Sequence, residues 1–111
     1  MSGEEDIARI RALNDAFRIA LLGGRLVVTA AVSELPEEIL AAAIERMRNF
    51  SEFTEDNDPH GEHDFGSFTL GGDTFFWKID YYDKDVQYGS EDPSDPSVTT
   101  RVLTLMFASD Y

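Results

Sequence analysis

The sequence contains no cysteine, few histidines and few basic residues, and each scarcity excludes or disfavours a class of site. Without cysteine, disulfide bonds, thiolate metal sites and cysteine nucleophiles are excluded. Histidine occurs only twice, and 9 basic residues stand against 22 acidic ones. The longest uncharged, mostly apolar stretch, residues 26–33, is far too short to cross a bilayer. Because the amino terminus is acidic and no apolar segment follows it, we expect no secretory signal and a cytoplasmic location.

The excess negative charge is concentrated in the middle of the chain. Of the net charge of −13, residues 51–95 hold thirteen acids and two lysines, whereas residues 1–50 hold eight acids and six arginines. A field of this sign repels nucleic acid and anionic membranes and attracts basic protein surfaces. We therefore expect no direct nucleic-acid partner and no membrane partner. The alternative is that the acidity only keeps a small protein in solution.

Two helices are predicted in the first half of the chain. Over residues 4–21 the apolar residues recur at helical spacing, and the doublet Gly23-Gly24 ends that helix. Ser33 is a candidate cap for a second helix, with Pro36 in its first turn. This second helix should end near Asn49.

Four strands are predicted around these helices, in the order αβαβββ. They cover residues 25–32, 66–70, 73–82 and 98–108, and the doublet Gly71-Gly72 is typical of a hairpin turn. We predict one α+β domain over residues 1–111, in which two helices pack on a small, mostly antiparallel sheet of about four strands. The expected core is Ile7, Leu13, Phe17, Ile39, Ala43, Met47, Phe75, Trp77, Ile79, Leu103 and Leu105.

A first acidic loop, residues 50–66, contains both histidines among Asp, Glu, Asn, Pro and Gly. Imidazoles beside carboxylates are ligands for zinc or another first-row metal, which makes His60 and His63 candidate metal ligands. The alternative is structural, with acids capping turns and His63 donating to a neighbouring carboxylate. A calcium loop is excluded because Ser67 stands where a bidentate Glu is required. Neither a nucleophile elbow nor a phosphate-cradling loop occurs, so we predict no catalytic residue and no cofactor.

A second acidic loop, residues 83–97, follows a strand that ends in Tyr81-Tyr82 and contains Tyr88 itself. Aromatic rings beside carboxylates suit Arg and Lys through ion pairs and cation–π contacts. The alternative is that Tyr81 belongs to the core and that the acids are only a solvated loop. The predicted partner-binding residues of the two loops are Glu52, Glu55, Asp56, Asp58, Glu62, Asp64, Asp83, Asp85, Glu91, Asp92 and Asp95.

Five segments together resemble a small bacterial family catalogued as domain of unknown function 3768. They are residues 10–15, 57–66, 76–82, 89–93 and 98–104. The resemblance covers nearly the whole chain and brings no established activity. Members are similar in being short and often carried on plasmids or other mobile elements, which implies defence, counter-defence or plasmid maintenance by association.

These observations favour a non-enzymatic interaction protein whose acidic loops dock on a basic, nucleic-acid-binding surface of a partner protein. In its sharpest form the hypothesis is a DNA mimic, an inhibitor of a restriction or CRISPR system. The alternative is a metal-binding protein or metal-dependent hydrolase that uses His60 and His63 with nearby carboxylates.

Overall fold

The structure, a computed structural model, describes residues 3–111. It has the predicted α+β class, with two additional short helical segments. No helix among the described residues is long and apolar enough to cross a membrane. The elements are α1 (Gly3–Ala20), β1 (Gly24–Val28), α2 (Ala30–Ser33), α3 (Glu37–Arg48), β2 (Phe65–Leu70), β3 (Asp73–Tyr82), β4 (Thr100–Phe107) and a terminal 3-10 helix (Ala108–Asp110).

The four strands form one sheet in the order β1-β4-β3-β2. Strand β1 is parallel to β4, and the other two pairs are antiparallel, which confirms a mostly antiparallel sheet. Strand β4 carries apolar residues on both faces, and it lies in the interior of the sheet, between β1 and β3. The turn between β2 and β3 is confirmed at Gly71-Gly72, whose φ angles of 61° and 85° are those that a two-residue hairpin turn requires.

The core lies between the helices and the face of the sheet that carries Trp77. Helix α1 contributes Phe17 to it, and α3 contributes Ala43 and Met47. Trp77 is fully buried, and its neighbour on β2 is Gly66, because any side chain there would overlap the indole ring. The predicted face of β3 is therefore correct.

Three residues of the predicted core lie elsewhere. Ile39 is 41% exposed, and that prediction was wrong. It lies one residue away from the stripe that Leu40 and Ala43 begin, so α3 turns it towards solvent. Ile7 and Leu13 are only partly buried and lie outside the main core cluster.

The segment after β1 also differs from the prediction. Residues 30–33 form the short helix α2, whereas a strand was expected up to residue 32. Thr29 ends the strand, because its hydroxyl accepts a bond from the Val32 amide at 3.4 Å and caps the new turn. Ser33 ends α2, and Pro36 is the residue that precedes α3. The predicted cap at Ser33 was therefore wrong, while the end of α3 at Asn49 is confirmed.

Candidate functional site

One face of α1 carries polar residues as well as apolar ones. Arg11, Asn14, Asp15 and Arg18 recur at helical spacing along the side of the helix that also presents Phe17 to the core. Asn14 and Arg18 are buried. This face of α1 supplies hydrogen-bonding groups to the first acidic loop and to the adjacent ends of β3 and β4.

Asn14 is the centre of a buried polar network. Its side-chain amide donates to the Glu62 carbonyl oxygen at 3.0 Å and to the Tyr81 hydroxyl at 2.8 Å. Its side-chain oxygen accepts a bond from Nε of Arg101 at 2.7 Å. Asn14 is fully buried, so each of these hydrogen bonds, if it were missing, would lower the stability of the folded state. All three hydrogen bonds are formed.

Tyr81 and Arg101 extend this network to the second acidic loop. The Tyr81 hydroxyl donates to Oε1 of Glu62 at 2.7 Å, and the Arg101 guanidinium lies over the Tyr81 ring at 5.3 Å. Arg101 also donates to the Pro93 carbonyl at 2.5 Å. Burial, followed by the hydrogen bond to Glu62, raises the pKa of the Tyr81 hydroxyl well above its ordinary value. Burial lowers the pKa of Arg101, against the attraction of Tyr81 and Glu62. The network therefore joins α1, both loops, β3 and β4.

The imidazole of His63 joins the first acidic loop to α1. Its Nδ1 lies 2.9 Å from Oδ1 of Asp15, and its Nε2 lies 3.6 Å from Oδ2 of Asp58. The ring stacks on Phe53 with centroids 3.7 Å apart. The His63 amide, at a φ of 55°, donates to Oδ1 of Asp58 at 3.2 Å. The structural alternative had His63 donating to a neighbouring carboxylate. The His63 amide does donate to Asp58 of the same loop, whereas the His63 ring bonds to Asp15, a carboxylate of α1.

Metal binding at His60 and His63 stays a prediction. His60 is exposed, whereas the His63 ring is held between Asp15 and Asp58. Among residues 3–111, no three His, Asp or Glu side chains are grouped so that they could hold a metal ion. The observed contacts of His63 are those of a residue that fixes the loop.

Arg18 is buried beneath the first acidic loop. One guanidinium nitrogen donates to the carbonyl oxygens of Met47 and Arg48 at 2.8 and 2.9 Å, which satisfies the end of α3. The guanidinium lies 4.9 Å from the Trp77 ring centroid. Burial lowers the pKa of Arg18, and Asp15 raises it. Arg18 therefore fixes α3 against α1, and α3 in turn leads into the loop.

The two acidic loops meet the sheet at one end. Strands β2 and β3 are antiparallel, so the start of β2 lies beside the end of β3. The Ile79 amide donates to the Asp64 carbonyl at 2.8 Å, and Tyr82, the last residue of β3, pairs with Thr100 of β4. The end of the first loop and both ends of the second therefore lie at the same end of the sheet.

The eleven predicted partner-binding acids fall into three groups. Asp58 is buried and used by His63, so it cannot present its carboxylate to a partner, and we remove it from the set. Burial, then the charge of Glu62, raises the pKa of Asp64, which fits its place beside the polar network. The partly exposed acids are Glu62, Asp64, Asp83 and Asp95. The exposed acids are Glu52, Glu55, Asp56, Asp85, Glu91 and Asp92.

Sequence reasoning missed the residues that hold these loops. Asn14 and Arg101 carry the network, Asp15 bonds to His63, and Arg18 bonds to the end of α3. None of these roles was predicted. The sequence did offer one signal for them. Polar residues of α1 lie on the same helical face as Phe17, and in an amphipathic surface helix that face is normally apolar. Arg101 gives a similar signal, because the alternation of β4 places it among the positions whose side chains face the core.

The fold and the network define a small α+β domain in which a buried polar cluster anchors two acidic loops. The family model for a protein of unknown function (DUF3768) matches residues 28–110, and the chain belongs to that family. This confirms the resemblance seen in the sequence. Comparison with curated proteins and with solved structures gave no match. The family description assigns no activity, so a function has to be argued from the site itself.

Proposed function

We propose that this protein is a non-enzymatic interaction protein whose acidic loops dock on a basic surface of a partner protein. The observation that carries the proposal is the set of exposed carboxylates at Glu55, Asp56, Asp85 and Glu91. Within residues 3–111, none of these four side chains has a hydrogen-bond or ion-pair partner. Acids without partners repel one another, and a basic surface would offset that repulsion.

The order of the second loop also supports docking. Asp92 accepts bonds from the Ser94 amide and hydroxyl, and Asp95 accepts bonds from the amide and hydroxyl of Ser97. The bonds from Ser97 lower the pKa of Asp95 and keep it ionised. A loop that is already ordered loses less conformational entropy when it binds. The acids are therefore presented on a fixed backbone.

In its sharpest form, the proposed partner surface is one that otherwise binds nucleic acid. Carboxylates present the same sign of charge as phosphates, so they can compete for the same Lys and Arg side chains. The protein would then be a DNA mimic, an inhibitor of a restriction or CRISPR system in the mobile-element setting that the family resemblance implies.

The test compares two variants that remove equal charge at different places. The docking variant carries Glu55→Gln, Asp56→Asn, Asp85→Asn and Glu91→Gln. The matched control carries four exposed substitutions near the opposite end of the sheet: Glu34→Gln, Glu37→Gln, Glu38→Gln and Asp73→Asn. Both variants lose four negative charges, so only position differs.

Affinity is measured for the partner that the wild-type protein captures from host lysate at low salt. We expect the docking variant to bind at least about fourfold more weakly, because four ion pairs that contribute about 0.2–1 kcal/mol each amount to about 0.8–4 kcal/mol. The control should bind nearly as well as wild type, and wild-type affinity should fall as salt rises. Equal losses in the two variants would reject position-specific docking.

A further inference from the structure

The second acidic loop encloses an open pocket of about 470 Å³, which we call the Tyr88 pocket. Its walls include Asp83, Tyr88, Glu91 and Val98. Tyr88 is 73% exposed and Val98 is 39% exposed, so an aromatic ring and an apolar side chain both face solvent here. Exposed apolar surface rimmed by polar groups is typical of an interaction site.

The charge of the Tyr88 pocket favours a cationic guest. Glu91 has no side-chain partner within the described chain, and one oxygen of Asp83 accepts the Gln87 amide at 3.0 Å. Lys84 also lines the pocket, so two carboxylates stand against one ammonium group. The pocket therefore keeps a net negative charge.

The backbone that carries Tyr88 is ordered on both sides. The Asp83 amide donates to the Tyr88 carbonyl at 2.8 Å, and the Ser90 amide donates to the Tyr81 carbonyl at 3.1 Å. Gly89 pairs with Tyr82 as an isolated bridge at the end of β3. The Tyr88 ring thus projects from a turn whose backbone is held by hydrogen bonds, so a guest has to order only the side-chain torsions of Tyr88.

We propose that the Tyr88 pocket binds an arginine side chain of the basic partner, an inference that rests on the docking function proposed above. A planar guanidinium can stack on the Tyr88 ring and donate to the Glu91 carboxylate at the same time. Its aliphatic stem can lie against Val98. A lysine ammonium offers the same charge without the planar stacking surface, so the pocket distinguishes arginine from lysine.

Two synthetic peptides of equal charge, hexa-arginine and hexa-lysine, serve as probes. We measure the dissociation constant of each for the full chain by titration calorimetry at low salt. Wild type should bind hexa-arginine about two- to fivefold more tightly, since an exposed cation–π contact supplies that much preference. Tyr88→Ala and, independently, Glu91→Gln should reduce that preference, whereas Tyr88→Phe should keep it because the ring face remains.

Tyr111→Ala is the matched control, because Tyr111 is 76% exposed and lies outside the pocket. It should leave the preference unchanged. Equal binding of both peptides to wild type, or a preference that survives Tyr88→Ala, would overturn the arginine pocket and leave the docking function standing. If neither peptide binds, the pocket is also overturned, and the charge-position experiment decides the docking function separately.

Discussion

Replacement of Asn14 by alanine tests whether the buried polar network holds the loops in place. The change removes two bonds that the amide donates, to Glu62 and Tyr81, and the bond that it accepts from Arg101. The Arg101 bond has a charged donor and contributes about 1.5–3 kcal/mol, and the two others contribute about 1 kcal/mol each. The free energy of unfolding should therefore fall by about 3.5–5 kcal/mol, a large part of the roughly 5–15 kcal/mol of a typical domain.

Urea unfolding followed by circular dichroism gives this free energy. With a slope of about 2 kcal/mol per molar, the midpoint should fall by about 2 M. The control is Asn49→Ala, because Asn49 is exposed and its side-chain amide makes only a 3.3 Å bond to the Glu45 carboxylate. The control should cost less than about 1 kcal/mol. A loss that small for Asn14→Ala would refute the assignment of the network as the anchor of the loops.

Two further predictions concern single positions beside the network. Asp64→Asn should raise the free energy of unfolding at pH 7. Burial raises the pKa of Asp64, so the folded chain binds the carboxyl proton more tightly than the unfolded chain does, and the ionised carboxylate destabilises the fold. The gain in stability should vanish below about pH 4, where Asp64 becomes protonated in the folded and the unfolded chain alike. Urea unfolding across the pH range measures the gain, and a gain that persists at low pH would contradict the proposed cause. Gly66→Ala should lower the free energy of unfolding by about 1–3 kcal/mol or more, since its new carbon would overlap Nε1 of Trp77. Gly3→Ala, in open space, is its control, and an unchanged urea midpoint for Gly66→Ala would show that the indole is free to move.

Much of the fold could be predicted because it depends on local patterns. The helical spacing in α1 and α3, the alternation in β3 and the glycine doublet of the hairpin each express a rule that acts over a few residues. The error after β1 has a local cause as well. Residues 30–32, Ala-Ala-Val, combine two helix formers with one β-former, and the cap at Thr29 together with the end of pairing to β4 favours the helix.

The candidate site was less predictable, because its contacts join distant parts of the chain. Asn14 lies 67 residues from Tyr81 and 87 residues from Arg101 along the sequence. No window around Asn14 reveals either partner. The burial of Asp58 could not be read from the sequence either, since its neighbours Asp56 and Asn57 have the same polar character.

By itself, the sequence determined the α+β class, the face of β3 that enters the core, the concentration of acidic charge in two loops and the family. Each of these depends on composition, on periodicity or on motifs that are contiguous in the chain. Tertiary structure alone decided which acids face solvent, that His63 bridges Asp15 and Asp58, and that the Tyr88 pocket is open. The physical reason is that burial and hydrogen-bond partners are set by which segments the sheet brings together, and that pairing acts over the length of the whole chain.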